Sequence, residues 1–297
     1  MDAVLTLIAG RAGSLDDAAV DRVRAAVADA GVDAGDPDWL APGAACDLAF
    51  TSGAPAAVAV VARQVLAGAA IDVVAQPLAG RRKGLLIADM DSTIVTAESL
   101  DELAEEAGIK ERIAAITARA MNGEIPFRAA VKERVGLLAG LPAAALERTM
   151  ARLELTAGAH RLVATMGAGG AITALVSGGF EYFTSRVADQ VGFDRSLGNR
   201  LEIVDQALTG EVFEPMVGKQ AKLDTLEGLA AERGLAPADA VAIGDGANDL
   251  PMLMAAGLGI AFHAKPMVAE AAAHRLDHAD LTGVLYAQGY RAAYLVD

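Results

Sequence analysis

Two aspartates two positions apart, Asp89 and Asp91, carry the first chemical signal in this chain. They lie in DMDST, directly after the apolar run GLLIA, where a strand gives way to a loop. That break lets one carboxylate face an electrophile while the other approaches from the side. An aspartate is ionised at neutral pH and needs no base to act as a nucleophile. The pair therefore suits covalent phosphoryl transfer. Asp89 attacks phosphorus; Asp91 protonates the departing alkoxide and later deprotonates a water. Two carboxylates beside a phosphate dianion repel it, so a divalent cation is implied, and Mg2+ prefers oxygen ligands. Matching groups occur far along the chain: Ser177 in VSGGF, Lys222 in KLDTL, and Asp245, Asn248 and Asp249 in GDGANDLPML. Asp89, Asp245 and the main-chain carbonyl of Asp91 are the candidate metal ligands, with Asp249 assisting that site or binding through water. Lys222 neutralises phosphate and fixes Asp89. Thr93, Ser177 and nearby backbone amides such as that of Gly178 hold the non-bridging oxygens.

Taken singly, each segment has a plainer reading. DMDST can be an acidic cap or turn, SGG a simple loop, and Lys222 a solvated lysine. The conjunction is more specific. A strand precedes each of Asp89, Ser177 and Asp245, and open α/β sheets bind ligands at the carboxyl ends of their strands.

The elements that must position these groups follow from periodicity. Residues 3–9, ACDLAFT and about 70–76 read as strands, and 18–27 and 56–66 as helices. Ser14 with Asp17 resembles a capping box, and Asp33 to Pro42 reads as loop. These pieces make a small α/β unit with a boundary near Pro77 to Arg82. From Glu98 to about Met166 the pattern is almost wholly helical, as for an insertion over the end of the sheet. Strand character resumes at AITALVSGG, and a helix starts near Phe180. LEIVDQALTGEVF reads as a hairpin whose turn includes Gly210. A helix runs from Lys222 to about Arg233. AVAIGDG and GLGIAF read as strands, and a weak helix lies near 281–287. The recurrence of strand followed by acidic or glycine loop predicts a parallel sheet.

Composition narrows the function. Among 297 residues, 39 acids face 25 Lys and Arg, a net charge of −14 that argues against a nucleic-acid footprint. The single cysteine, Cys46, excludes an intrachain disulfide and fits a reducing compartment. It reads as a buried small hydrophobe, and the lone Trp39 as packing. The acidic Asp2 does not fit a signal peptide. The most apolar stretch, about Ala54 to Ile71, is broken by Arg63 and Gln64. A cytoplasmic protein with neither membrane nor nucleic-acid partner is expected.

DMDSTIV, VSGGF, KLDTL and GDGANDLPML, in that order, resemble the motifs of the haloacid dehalogenase-like hydrolases over roughly residues 83–290, most closely the phosphoserine phosphatase branch. The resemblance implies an α/β fold: a Rossmann-like core with a parallel sheet, a helical cap insertion at about 97–165 and a small N-terminal α/β domain. It implies an Mg2+-dependent phosphatase domain over 81–297, with phosphoserine as substrate and serine as product. By the same resemblance Asp89 is the phosphoryl acceptor and Asp91 the acid/base. Asp89, Asp91 and Asp245 hold Mg2+ with help from Asp249. Asp89, Thr93, Ser177, Gly178, Lys222 and Asn248 handle phosphate. Outside the general chemistry, Glu98 matches the acid that holds the substrate ammonium, and Arg134, in VKERVGLL, matches the arginine that forks onto its carboxylate. Met121, Gly123 and Phe127, in MNGEIPF, match the pocket lining. Residues 1–80 resemble the amino-acid-binding ACT fold in their order of elements. Serine binding, support of a homodimer and stabilisation of the catalytic domain stay open as roles for this leader.

Overall fold

The first strand, β1 (Ala3–Ala9), is buried at all seven positions. Apolar residues fill every position but Thr6, a pattern that suits a strand covered on both faces. The structure, a computed structural model, describes residues 1–121 and 124–297. After β1 come α1 (Asp17–Asp29), β2 (Asp33–Ala34), β3 (Asp38–Ala41), β4 (Ala45–Thr51), α2 (Pro55–Val65) and β5 (Ile71–Pro77). Their sheet has the order β2-β4-β1-β5, with β3 also on β4, and every pairing is antiparallel. One face carries Leu5, Leu7, Cys46, Leu48, Phe50, Val73 and Ala75, which pack with Val20, Val23, Val58 and Ala62 of the two helices. Trp39 packs on the same core, and burial pushes the Cys46 thiol up to about 12. Two local expectations change. The helix cap is Asp16, whose carboxylate accepts from Ala19 N at 2.7 Å, while Ser14 Oγ donates to the Arg11 carbonyl. The segment expected as loop holds β2 and β3, because β4 supplies a ladder that no local apolar pattern announces.

The other face of this sheet is polar and buried. Arg81 Nη1 lies 2.6 Å from Asp47 Oδ2, and its Nη2 donates to Thr6 Oγ1 and Asp47 Oδ1. Its Nε donates to the carbonyl of Ala287, as does Gln76 Nε2. Asp72 accepts from the amides of Asp277, His278 and Ala279.

The remaining chain runs β6 (Leu85–Ala88), α3 (Ser99–Glu106), α4 (Lys110–Met121), α5 (Phe127–Gly136), α6 (Ala144–Met150), α7 (Ala159–Ala168), β7 (Ile172–Phe180), α8 (Glu181–Val191) and β8 (Arg195–Asn199). Then follow β9 (Leu201–Val204), β10 (Ala207–Val212), α9 (Lys219–Glu232), β11 (Ala240–Gly244), α10 (Leu250–Ala255), β12 (Leu258–Phe262), α11 (Pro266–Ala271), β13 (His274–Leu276) and α12 (Thr282–Ala287). A six-stranded sheet has the order β13-β12-β11-β6-β7-β8. The β11–β12, β12–β13 and β7–β8 pairs are parallel. Strands β6, β11 and β12 are buried throughout, which accounts for their continuous apolar sequences. By contacts the chain forms two units. One comprises Met1–Ile87, Ala157–Thr173 and Leu226–Asp297, the other Ala88–Thr156 and Ala174–Thr225.

Within the second unit, the helical stretch that follows Glu98 comprises α3 to α6. The hairpin turn is at Asp205 and Gln206, both with positive φ, and not at Gly210. A two-residue hairpin turn needs left-handed residues at its centre. Gly210 lies inside β10, where the register shifts between Leu208 and Val212. Strand β8, mostly exposed, carried no apolar signal. No helix among the described residues is long and apolar enough to cross a membrane.

Replacing Arg81 by Met strands the buried Asp47 carboxylate, a change worth about 3–5 kcal/mol for a buried pair. Urea unfolding of Arg81→Met is expected to show a lower midpoint by that order. An unchanged midpoint shows that the network contributes no net stability.

Candidate active site

Lys222 has no exposed surface, and its Nζ lies 2.6 Å from Asp89 Oδ1. Asp89 is the residue after β6, and Lys222 is the fourth residue of α9. The same carboxylate oxygen accepts from Met90 N at 2.8 Å, which fixes the plane of the group. Two ions out of water are tolerable only when paired at close range, and losing either leaves the other uncompensated. The sequence reading of a lone solvated lysine is thus excluded for Lys222.

Asp91 is bound on both oxygens. Oδ1 accepts from the amide of Ser99 at the start of α3, at 2.8 Å. Oδ2 accepts from Ser177 Oγ at 3.2 Å. Ser177 Oγ in turn accepts from Gly179 N at 2.8 Å. A Cβ on Gly179 would lie 2.8 Å from Asp91 Oδ2 and 3.0 Å from Ser177 Oγ, so the SGG turn needs glycine for close approach. Burial, and then the neighbouring charge of Glu98, raise the Asp91 carboxyl to about 6, against the lowering effect of the Ser99 and Ser177 hydrogen bonds. Thr93 is buried, and its Oγ1 has no hydrogen-bond partner among the described residues. A hydroxyl left in that state fits an acceptor or donor arriving with a ligand.

Sequence reasoning missed Asn199, a buried residue at the end of β8. Its Nδ2 donates to the Gly178 carbonyl at 2.8 Å and to the Val217 carbonyl at 3.2 Å, while its Oδ1 accepts from Val217 N at 2.7 Å. One amide side chain thus ties the SGG turn to the segment leading into α9. Its only sequence signal was an amide residue in an otherwise ordinary LGNR stretch.

Glu98 accepts from Ser92 Oγ at 2.9 Å, and Ser92 holds a left-handed φ of 56°. Arg134 is half-buried in α5, and its Nε donates to the Ala130 carbonyl at 3.3 Å. Burial lowers the Arg134 pKa, and the charges of Asp101 and Glu98 oppose that shift. Met121 ends α4 and Phe127 opens α5. Gly123 lies outside the described residues.

Asp245 follows β11 directly, and Lys265 Nζ lies 3.3 Å from its Oδ2. Lys265, at the start of α11, also donates its amide to the Asp245 carbonyl at 3.1 Å and was not singled out in the sequence. Asp249 Oδ2 accepts from Gly246 N at 2.9 Å. A Cβ on Gly244 would lie 2.4 Å from Asp249 Cγ, so only glycine lets Asp249 occupy its place. Asn248 is half-buried on the same loop.

Asp89, Asp245 and Asp249, all buried, each offer a carboxylate oxygen, and these atoms lie within 4.8 Å of one another. The donor set is all oxygen and anionic, with neither thiolate nor imidazole. It suits a hard divalent cation.

The family described as haloacid dehalogenase-like hydrolase matches residues 86–254. A phosphoserine phosphatase of Archaeoglobus fulgidus is 44% identical over 216 residues, 72% of this chain and 63% of that one, so the match spans less than two thirds of that relative. A phosphoserine phosphatase of Streptococcus thermophilus is 46% identical over 203 residues, 68% of this chain and 94% of that one. The crystal structure of a HAD family hydrolase from Salmonella enterica serovar Typhi superposes with a TM-score of 0.85 at 31% identity. That superposition covers 96% of this chain and 98% of the other.

Glu98 raises the Asp91 pKa, so removing its charge lowers it. In Glu98→Gln the Asp91 titration, followed by carboxyl carbon chemical shift in the metal-free protein, is expected to move below its wild-type position near 6. An unmoved or raised titration rules out this coupling.

Proposed function

The chain belongs to the haloacid dehalogenase-like hydrolase family, and on that premise we propose that it hydrolyses O-phospho-L-serine to L-serine and phosphate through an aspartyl-phosphate, the final step of serine biosynthesis. The observation that carries this reading is Asp89: it belongs to the acidic cluster and is held at 2.6 Å by the buried Lys222. The similarity to phosphoserine phosphatases supports the choice of substrate.

An Asp89 carboxylate oxygen attacks phosphorus. The new Asp89–phosphorus bond forms as the bond from phosphorus to the serine oxygen breaks. The electron pair of that bond stays on the serine oxygen, which takes the proton of Asp91. Water then attacks the phosphoryl group, gives its proton to Asp91, and releases phosphate from Asp89. A carboxyl raised to about 6 supports this double duty, because it holds a proton more readily than an ordinary aspartate and still ionises near neutrality. Lys222 keeps Asp89 oriented and, with Thr93, Ser177, the Gly178 amide and Asn248, opposes the phosphate charge.

Asp89, Asp245 and the Asp91 carbonyl, assisted by Asp249, would hold Mg2+. When bound, the ion supplies positive charge against the phosphate and the charge that develops during transfer. Glu98 holds the substrate ammonium and Arg134 its carboxylate, with Met121, Gly123 and Phe127 lining the pocket. Residues 81–297 form the phosphatase domain, with a helical cap over about 97–165. Residues 1–80 form an ACT-like domain, a reading supported by its antiparallel sheet and its alternation of strands and helices. The solitary cysteine supports a cytoplasmic setting.

Phosphate release from phosphoserine is expected to need Mg2+ and to fall by about a thousandfold or more in Asp89→Asn. Normal turnover by that variant overturns the nucleophile. Arg134→Ala is expected to lose more on phosphoserine than on phosphoethanolamine, which has the ammonium and phosphate but no carboxylate. Equal losses on the two remove Arg134 from carboxylate recognition.

A further inference from the structure

Thr117 lies on the face of α4 that also carries the buried Ile113 and Ile116. Its Oγ1 donates to the Ile113 carbonyl one turn back, at 3.1 Å. Threonine in a helix commonly makes this bond, which limits its χ1 freedom. With the hydroxyl proton committed to Ile113, the oxygen lone pairs are available as acceptors, and Arg134 Nη1 donates to that oxygen at 3.3 Å. Arg134 is thus held twice, by Nε on the Ala130 carbonyl of its own helix and by Nη1 on α4. Nη2 has no protein acceptor among the described residues. On the outer surface, Arg119 and Glu133 join the same two helices at 3.1 Å. The helix pairing therefore has a fastening independent of Thr117.

We propose that Thr117 is a positioning residue for substrate selection: its hydroxyl fixes the Arg134 guanidinium so that Nη2 is presented to the carboxylate of an amino-acid phosphate ester. The inference rests on the reading of Arg134 as the carboxylate reader. A guanidinium free to rotate would still carry its charge. It would lose the fixed fork that distinguishes a substrate with a carboxylate from one without. The Thr117 hydroxyl bonds to Ile113 and Arg134, so its proposed action is on binding and not on transfer.

The test is steady-state kinetics of Thr117→Val, Thr117→Ser and Arg134→Ala in the full chain with Mg2+, on phosphoserine and on phosphoethanolamine. Thr117→Val is expected to raise KM for phosphoserine about three- to tenfold, the scale of a weakened hydrogen bond to a charged group. Its kcat on phosphoserine and its kcat/KM on phosphoethanolamine should stay within about twofold, a margin well below one hydrogen bond. Thr117→Ser, which keeps the hydroxyl, should restore the phosphoserine KM. Equal loss on both substrates, failure of serine to rescue, or an unchanged phosphoserine KM overturns the assignment. If Arg134→Ala discriminates between the substrates and Thr117→Val does not, only the Thr117 role fails. If Arg134→Ala does not discriminate, the reading beneath it fails as well. Thr117→Ala replaces Thr117→Val in every comparison if the latter lacks a cooperative thermal transition.

Discussion

A fully buried lysine ammonium needs an anion against it, and Asp89 supplies one here. The Lys222–Asp89 pair constrains everything around it, since neither ion can be displaced without leaving the other in a low-dielectric setting. The constraint reaches backward into secondary structure. Strand β6 must end where Asp89 leaves the sheet, and α9 must begin early enough to bring its fourth residue inward. Asn199 sets the approach of α9, because it holds both the SGG turn and Val217 with one amide. The pair also divides labour between the two aspartates of DMDST. Asp89 lies beside a cation, whereas Asp91, buried near Glu98, has a raised affinity for its proton. The proposed nucleophile and the proposed acid/base thus differ by surroundings, not by side-chain type.

Much of this site was legible from residue type and order. Asp89, Ser177 and Asp245 were readable because continuous apolar runs announce buried strands, and groups at the ends of such strands have few places to go. The cluster of Asp89, Asp245 and Asp249 followed from the same logic. Asn199, Lys265 and Thr117 were not legible. Each is a common residue in an unremarkable stretch, and each matters through a partner distant in sequence or through one hydroxyl direction that periodicity does not encode. The edge strands β2, β3 and β8 escaped for a related reason: their pairing is supplied by a neighbour and not by their own pattern. The hairpin turn was misplaced because Gly210 drew attention, while Asp205 and Gln206 adopted the left-handed turn.

The polar face of the N-terminal sheet has a consequence for how the chain is made. Thr6, Asp47, Asp72, Gln76 and Arg81 leave the ribosome well before several of their partners, the amides of Asp277 to Ala279 and the carbonyl of Ala287. Those partners emerge roughly two hundred residues later, about ten to forty seconds at ordinary elongation rates. Throughout that interval the nascent segment can complete its apolar side against α1 and α2, but its second side stays wet until residues 277–287 have emerged.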